Sequence, residues 1–539
     1  MIPTSRATRA RTRPRRWRTA TALVAAAIAS TAVAGGGDVA GSTGSAAAVS
    51  PARAVAGAEA VEGGTLRVAH GTPPSTLDPA SGNSGYDHIY LYPMFDTLIR
   101  FTPDTMEPAP GLASSWEFTD ETTLVLTLQE GVTFHDGTPF DAEAVKYNFE
   151  RSMTWEGSNI AGDLQSVDSV EVVDDLTVQV NLKNADTALP LILADRAGMM
   201  VSPTAAEELG EDFSLSPVGA GPFVFREWRI GERVVMDRYE DYWGEAPTLE
   251  TIDFTIIVDN DTAMNAILAG QQDFIFNVEP SDLGRVEGND SLTTSVSDRL
   301  FHYEFYVNLG RPPFDDVRVR QAFNLAIDRA TLVQATAEGE GQIAMTPLPP
   351  GHWAYSDQFD DAYPYDPERA RELLAEAGYE DGLTFEVVGW TTDIDVRRAE
   401  VIQAMLSEVG MQMDIRTTEV PQATAQFFDE KRYDAYLAAW TGRPDPTLTY
   451  TLLFSKDGYF NTAGVETPGL EELLIESRSV DGLEERATAF AELTQVVVDE
   501  ALYVPLNFPP DIAVMSNRVV NYVPNLLGKP QLAYVGFSD

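Results

Sequence analysis

The stretch TFEVVGWTTDIDVRRAEVIQAMLSEVGMQMDI, residues 384–415, decides the fold. Thr384–Val388 predicts a strand, Arg397–Val409 predicts a helix that stops at Gly410, and Met411–Ile415 alternates apolar and polar residues like a second strand. A strand, a helix and a strand in this order form a βαβ unit, whose two strands run parallel. The stretch therefore predicts an α/β fold.

The same alternation extends through the later half of the chain. Tyr433–Trp440 predicts a strand, and Thr447–Phe454 predicts the helix after it. Another helix is bracketed by Asp366 as N-cap, Pro367 at its first position and Gly378 just past its end. Apolar residues at helical spacing predict one more, at Val319, Ala322, Phe323, Ala326 and Ile327. We expect a parallel sheet covered by helices.

The first half has a different pattern. Leu66–Ala69 predicts a short strand, which is followed by a loop rich in Gly, Pro and Ser over His70–Gly85 and by an apolar, aromatic helix from about Tyr86. Thr123–Leu128 and Val170–Leu182 are alternating segments. They predict an antiparallel insert.

Composition narrows the classes of function. The chain has 539 residues, of which 44% are hydrophobic, and its 37 Lys and Arg against 83 Asp and Glu give a net charge of -46. Such a field repels phosphate backbones, so we expect no nucleic-acid partner and interpret the acidity as a solubilising surface. Absence of Cys excludes disulfides, Cys metal sites and thiol nucleophiles.

Motifs for catalysis or metal binding are missing. The five His show no HExxH or paired spacing, and there is no GxSxG, P-loop or GxGxxG. We therefore expect no catalytic residue, no metal and no cofactor.

The N-terminus predicts export. A basic run ends at Arg18, an apolar stretch covers Ala20–Ala29, and a small-residue site follows at Ala32–Ala34, the layout of a signal peptide over residues 1–34. Residues 35–60 are mostly Gly, Ala, Ser and Val and predict a flexible linker. No later segment resembles a transmembrane helix, and Gly36 stands where a lipobox would have its lipid-bearing Cys. We expect a protein outside the cytoplasm without a membrane span of its own.

Three loops are candidates for ligand binding, because ligands of open α/β sheets bind beyond the carboxyl ends of strands. They are His70–Gly85, Trp390–Asp395 and Trp440–Pro446, and the last two join an aromatic ring to charged groups. The candidate ligand-binding residues are Trp440, Arg443, Asp445, Trp390, Asp393, His70, Asn83 and Tyr86. Alternatively, both Trp side chains belong to the core.

Arg443 and Asp445 together would suit a zwitterion. A guanidinium holds a carboxylate by two parallel hydrogen bonds, and a carboxylate accepts from an amine. The alternatives are a salt bridge between the two residues, or capping of the next helix by Asp445.

Six blocks, in order, resemble family 5 of the ABC-transporter solute-binding proteins, the peptide/nickel type that includes oligopeptide- and dipeptide-binding proteins. The blocks are PGLASSWEF at Pro110–Phe118, EGVTFHDGTPFDAEAVKYNFER at Glu130–Arg151, VGAGPFVFREW at Val218–Trp228, RYEDYWGEAP at Arg238–Pro247, VRVRQAFNLAIDR at Val317–Arg329 and YDPERARELLAEAGY at Tyr365–Tyr379. The resemblance covers the chain from about Gly64 to its end.

The resemblance implies a two-lobed periplasmic-binding-protein fold, type II-like, with an extra domain inserted in lobe one, closing around a central cleft. On this pattern lobe one is residues 61–100, 220–310 and 501–539, the insert is residues 101–219, and lobe two is residues 311–500. It also implies a monomer that closes by hinge motion around a small-molecule or peptide ligand. Its partners would be the permease and ATPase subunits of an ABC importer, at the outer face of the cytoplasmic membrane.

One position departs from the family pattern. Many peptide-binding members place an Asp shortly after the Trp that corresponds to Trp440, where it pairs with the α-amino group of the peptide. Here Arg443 lies three residues after Trp440, and Asp445 two further on. Either Asp445 takes the amine role, or Arg443 has replaced it and the ligand is anionic at that end. The leading hypothesis is that the ligand is a short peptide or similar zwitterion. The alternative is an anionic or sugar-like solute (opine, saccharide, metal chelate), and a third hypothesis is that the protein is a cleft hydrolase.

Overall fold

The computed structural model describes residues 60–82 and 84–539. The predicted signal peptide, the predicted linker up to residue 59, and the candidate residue Asn83 lie outside the described residues. Within the described ranges, no helix combines the length and the apolar character needed to cross a bilayer.

A six-stranded sheet contains the predicted βαβ unit. Leu383–Gly389 pairs parallel with Met411–Thr417, and the helix between them, Asp393–Glu408, buries Ala399, Ile402 and Leu406 against the sheet. In spatial order the sheet is Gln342–Ile343, Val504–Phe508, His302–Val307, Ala435–Trp440, Leu383–Gly389 and Met411–Thr417. The βαβ prediction is confirmed.

This sheet is mixed, so the expectation of a purely parallel sheet was wrong. Ala435–Trp440 runs parallel to Leu383–Gly389 but antiparallel to His302–Val307, which is itself antiparallel to Val504–Phe508. His302–Val307 enters this sheet directly from the strand Leu292–Ser297 of the other large sheet, without the crossover helix that parallel pairing needs, and Val504–Phe508 leaves it directly for Asp511–Ser516.

The other large sheet of the molecule has seven strands. Its central strand, Thr65–His70, pairs parallel on both sides, with Thr251–Ile256 and with Phe274–Phe276. The strand order is Leu292–Ser297, Asp511–Ser516, Phe274–Phe276, Thr65–His70, Thr251–Ile256, Arg233–Arg238 and Phe223–Arg229. Strands from both ends of the chain therefore lie in one sheet.

The antiparallel pairing predicted for Thr123–Leu128 and Val170–Leu182 is confirmed, and these segments belong to a four-stranded sheet. Its order is Ala113–Asp120, Thr123–Leu128, Thr177–Leu182 and Val167–Asp174, all antiparallel. The helix Ala142–Thr154 packs on it, and its N-cap Asp141 accepts a hydrogen bond from the Ala144 amide at 3.0 Å. The remaining strands form two small antiparallel sheets of two strands each, Ile99–Phe101 with Pro108–Pro110 and Val519–Val520 with Gly536–Phe537.

Most helices lie in the later half and cover the six-stranded sheet. The apolar set predicted from Val319 to Ile327 is at most 1% exposed, and Asp366 caps its helix as predicted. The α-helices of the described chain are His88–Leu91, Ala142–Thr154, Leu189–Ile192, Pro203–Leu209, Asn260–Leu268, Leu283–Val286, Val317–Leu325, Arg329–Ala337, Pro367–Glu376, Asp393–Glu408, Val420–Thr424, Pro446–Phe454, Leu470–Ser477 and Leu483–Asp499.

Two short connections join the large sheets. Residues 298–301 lead from Leu292–Ser297 to His302–Val307, and the Pro509–Pro510 pair leads from Val504–Phe508 back to Asp511–Ser516. The predicted boundaries placed residues 302–307 and 504–508 in lobe one, whereas both strands pair in the six-stranded sheet. The lobe ranges themselves stay a prediction.

Candidate functional site

A cavity of about 1180 Å³ lies among three parts of the chain. Residues 85–88 and 279–281 line it from the side of the seven-stranded sheet, residues 159–163 and 195–196 from the insert, and residues 390–397 and 436–443 from the six-stranded sheet. A volume of this size is suited to a ligand larger than a single amino acid.

Aromatic rings form one wall of the cavity. Tyr306 and Tyr436 are directly opposite each other on antiparallel strands, with ring centroids 6.0 Å apart. Phe460 packs against Tyr306 and, edge-on, against Trp440, each at 5.1 Å. Phe428 closes the cluster at 5.4 Å from Tyr306. This wall offers both flat apolar faces and hydroxyl groups to a ligand.

Trp390 and Asp393 follow the strand Leu383–Gly389. The indole of Trp390 donates to the Tyr436 hydroxyl at 2.7 Å, which fixes the ring at the cavity edge. Thr392 caps the helix Asp393–Glu408, so the exposed Asp393 lies in its first turn and lines the cavity. Negative charge is favourable at that helix end.

Trp440 is the last residue of the strand Ala435–Trp440, and Arg443 lies in the loop after it. Trp440 is 3% exposed and donates to the Thr449 hydroxyl at 3.2 Å, yet its ring still borders the cavity. The guanidinium of Arg443 lies 5.2 Å from the centre of that ring. It donates to the Gly442 carbonyl at 2.8 Å and the Thr441 hydroxyl at 3.3 Å, and has no carboxylate partner among the described residues.

Asp445 is committed to the protein interior. It is fully buried and accepts two hydrogen bonds from Arg486, at 2.8 and 3.0 Å. It also accepts from the Thr447 amide at 2.9 Å as N-cap of Pro446–Phe454. Asp445 is not among the residues that line the cavity, and the geometry matches the capping alternative rather than an amine site.

The first candidate loop contributes unevenly. Tyr86 lines the cavity, whereas His70 lies beneath it, 4% exposed and stacked on Phe276 at 4.6 Å. His70 Nδ1 contacts the Thr72 carbonyl at 2.8 Å and Tyr90 at 3.2 Å. Burial lowers the pKa of His70 to about 4, so the ring is neutral at pH 7.

The insert adds charged groups that sequence reasoning did not select. His88 is in close hydrogen-bond contact with Asp195, and burial lowers the pKa of His88 to about 4, so its ring is neutral at pH 7. Arg196, next to Asp195, donates to the Gly82 carbonyl. Asp163 lines the same region, and burial together with the Asp195 charge raises its pKa to about 6, against the opposing effect of the nearby arginines.

The cavity thus brings together Trp390, Asp393, Trp440, Arg443 and Tyr86, and leaves His70 and Asp445 outside its lining. Tyr436 was not among the predicted site residues, although the sequence could have indicated it: side chains alternate along a strand, so Tyr436 lies on the same face of the predicted strand as Trp440. No sequence pattern indicated Asp163, Asp195 or Arg196, because only the tertiary fold brings the insert to this cavity. The described residues include no cluster of three or more His, Asp or Glu arranged to hold a metal ion.

Comparisons with known proteins agree with this architecture. The family model "Bacterial extracellular solute-binding proteins, family 5 Middle" matches residues 107–461. Among curated proteins, the glutathione-binding protein GsiB of Pectobacterium atrosepticum is 28% identical over 470 residues, which cover 84% of this chain and 90% of that protein. Heme-binding protein A of Haemophilus influenzae is 28% identical over 498 residues, 85% of this chain and 88% of that protein.

A solved structure shows the same fold. The periplasmic binding protein DppA of Helicobacter pylori, in complex with the peptide STSA, is 25% identical to this chain with a TM-score of 0.77. The match covers 89% of this chain and 99% of that one.

Proposed function

Since the chain belongs to family 5 of the bacterial extracellular solute-binding proteins, we propose that it is the receptor of an ABC importer for a short peptide or a similar zwitterion. It captures the ligand in the cavity described above, closes around it and delivers it to the permease. Members of this family are periplasmic or extracellular solute-binding proteins. We place this protein at the outer face of the cytoplasmic membrane, where it meets the permease and ATPase subunits as a monomer.

The observation that carries the proposal is a cavity lined from both large sheets. The sheets are joined by the short connections at residues 298–301 and 509–510, beside the insert. Small dihedral changes at two adjacent connections rotate one half against the other, which is hinge closure. In our proposal the halves are the two predicted lobes, and ligand contacts to both favour the closed state.

A peptide-like ligand is supported by the lining and by the relatives. The cavity combines aromatic faces with the unpaired charges of Arg443 and Asp163. One relative is named for glutathione and one structural neighbour holds a peptide. A receptor of this kind needs no catalytic residue.

An anionic solute is the second candidate. Arg443 lies at the loop after Trp440 without a carboxylate partner among described residues, while Asp445 is taken by Arg486. The position that would hold an amine therefore carries a cation.

Calorimetric titration of the chain from residue 60 tests the receptor proposal. The panel contains short peptides, glutathione, opines and saccharides, and small-angle scattering follows the radius of gyration. We expect saturable binding of peptide-like compounds with a decrease in the radius of gyration. Saturable binding without any decrease in the radius would contradict hinge closure, and product formation from a bound compound would favour the hydrolase instead.

A further inference from the structure

Three cationic side chains from separate segments meet at one end of the cavity, and we call them the cationic corner. They are Arg196 of the insert, Arg443 of the loop after Trp440, and Lys529 near the C-terminus. Electrostatic interactions link Lys529 with both Arg443 and Arg196. Arg196 and Arg443 line the cavity, and Lys529 lies buried behind them.

None of these three cations forms a salt bridge with a carboxylate of the described residues. The guanidinium groups of Arg196 and Arg443 donate only to neutral oxygens among the described residues. Lys529 is 7% exposed, and its Nζ has no hydrogen-bond partner within residues 60–82 and 84–539. Burying an amine without a hydrogen-bond partner costs free energy, and a ligand oxygen would offset that cost.

Three carboxylates lie near the corner, but within the described ranges none of them forms a salt bridge with its cations. Asp195 is held by the close contact with His88, and Asp87 accepts hydrogen bonds from Ser75 and from the Ser84 amide. Asp163 has no hydrogen-bond partner for its carboxyl among the described residues, and its pKa is raised to about 6, chiefly by burial. The guanidinium groups of Arg196 and Arg443 therefore stay available for hydrogen bonds to a ligand.

We propose that the cationic corner binds a carboxylate group of the ligand, with Arg443 and Arg196 donating to its oxygens and Lys529 supplying a third positive charge. A planar guanidinium matches a carboxylate by two parallel hydrogen bonds. This inference rests on the proposed receptor function and specifies the chemistry of one end of its ligand. It reverses the charge expected at the loop after Trp440.

The first test uses matched peptide libraries and native mass spectrometry. The ligand-stripped chain is mixed with short peptides bearing free carboxyl termini, and in parallel with the same peptides as C-terminal amides. We expect the free acids to be retained about tenfold to a hundredfold more strongly, the range for charge-assisted hydrogen bonds. Arg443→Gln and Arg196→Gln reduce this preference, whereas Arg226→Gln, an exposed residue paired with Asp237, preserves it.

The second test measures the uptake of protons when the ligand binds. Burial lowers the pKa of Lys529 to about 7, with Asp195 and Asp87 opposing this effect and Arg443 and Arg196 adding to it. A bound carboxylate favours the charged ammonium, so ligand binding at about pH 8 takes up protons. Calorimetry in two buffers of different ionisation enthalpy measures this uptake, and Lys529→Met abolishes it.

The outcomes are distinct. Retention of neither library contradicts the receptor function together with this inference. Retention of amides as strongly as free acids, or an unchanged preference in Arg443→Gln, overturns the carboxylate site alone. Proton uptake that persists in Lys529→Met likewise removes Lys529 from the corner.

Discussion

Replacing Arg486 by Met tests whether Asp445 is structural. The pair is fully enclosed, with Asp445 at 0% and Arg486 at 3% exposure, and it is joined by hydrogen bonds of 2.8 and 3.0 Å. Removing the guanidinium leaves a buried carboxylate without its cation, which costs about 3–5 kcal/mol of unfolding free energy. The contact of Arg486 with the Trp353 ring, at 5.0 Å, is also lost.

Urea unfolding followed by tryptophan fluorescence measures this cost. Asp445→Asn retains an oxygen that caps the Thr447 amide, so the double variant Arg486→Met with Asp445→Asn is expected to recover about 1–3 kcal/mol relative to additivity. The exposed pair Arg226–Asp237 is the control, since Arg226→Gln removes at most about 1 kcal/mol. A loss below about 1 kcal/mol in Arg486→Met, or Asp445→Asn that abolishes ligand binding at unchanged stability, would refute the structural role.

Two further predictions concern backbone and pH. Gly442→Ala destabilises the fold and weakens ligand binding, because φ is +74° and the new Cβ would lie 2.4 Å from Leu300. The control is Gly378→Ala, at φ +89° with open space around the new Cβ, which costs only the left-handed penalty of about 1–2 kcal/mol. Equal urea midpoints for the two variants would contradict this prediction. Burial lowers the pKa of His70, His135 and His352 to about 4 from the ordinary 6.5, so the unfolded chain binds more protons and the urea midpoint falls as pH drops from 6.5 towards 4. His135→Gln makes that fall shallower, and a flat profile in the parent protein would disprove the assignment.

Local patterns were sufficient for the βαβ unit and for the helices Val317–Leu325, Pro367–Glu376 and Pro446–Phe454, whereas the long helix Leu483–Asp499 was not predicted. The helix after Leu383–Gly389 begins at Asp393 rather than Arg397, because Thr392 accepts from the Asp395 amide and adds a turn. A Thr three residues before an acidic residue is a capping signal that was present in the sequence. Chain direction in the six-stranded sheet was not predictable, since the partner of His302–Val307 lies about two hundred residues away at Val504–Phe508.

In the candidate site, too, local patterns predicted some residues correctly and could not show the distant partners of others. Trp390, Trp440 and Arg443 follow strands that could be identified locally, and all three line the cavity. Asp445 carries the same local signal, but Arg486 lies 41 residues further on and takes its carboxylate. The sequence shows which residues follow a strand, whereas long-range partners decide which of them stay available to a ligand.

The route of the chain through the seven-stranded sheet sets the order of its folding. Leu292–Ser297 pairs only with Asp511–Ser516, which also completes Phe274–Phe276. A nascent chain therefore holds two strand edges open until residues 511–516 have been synthesised. Unpaired edges are templates for aggregation, so a chain cut short before Asp511 would expose them permanently. Closure of these edges depends on residues 511–516, which supply that last strand.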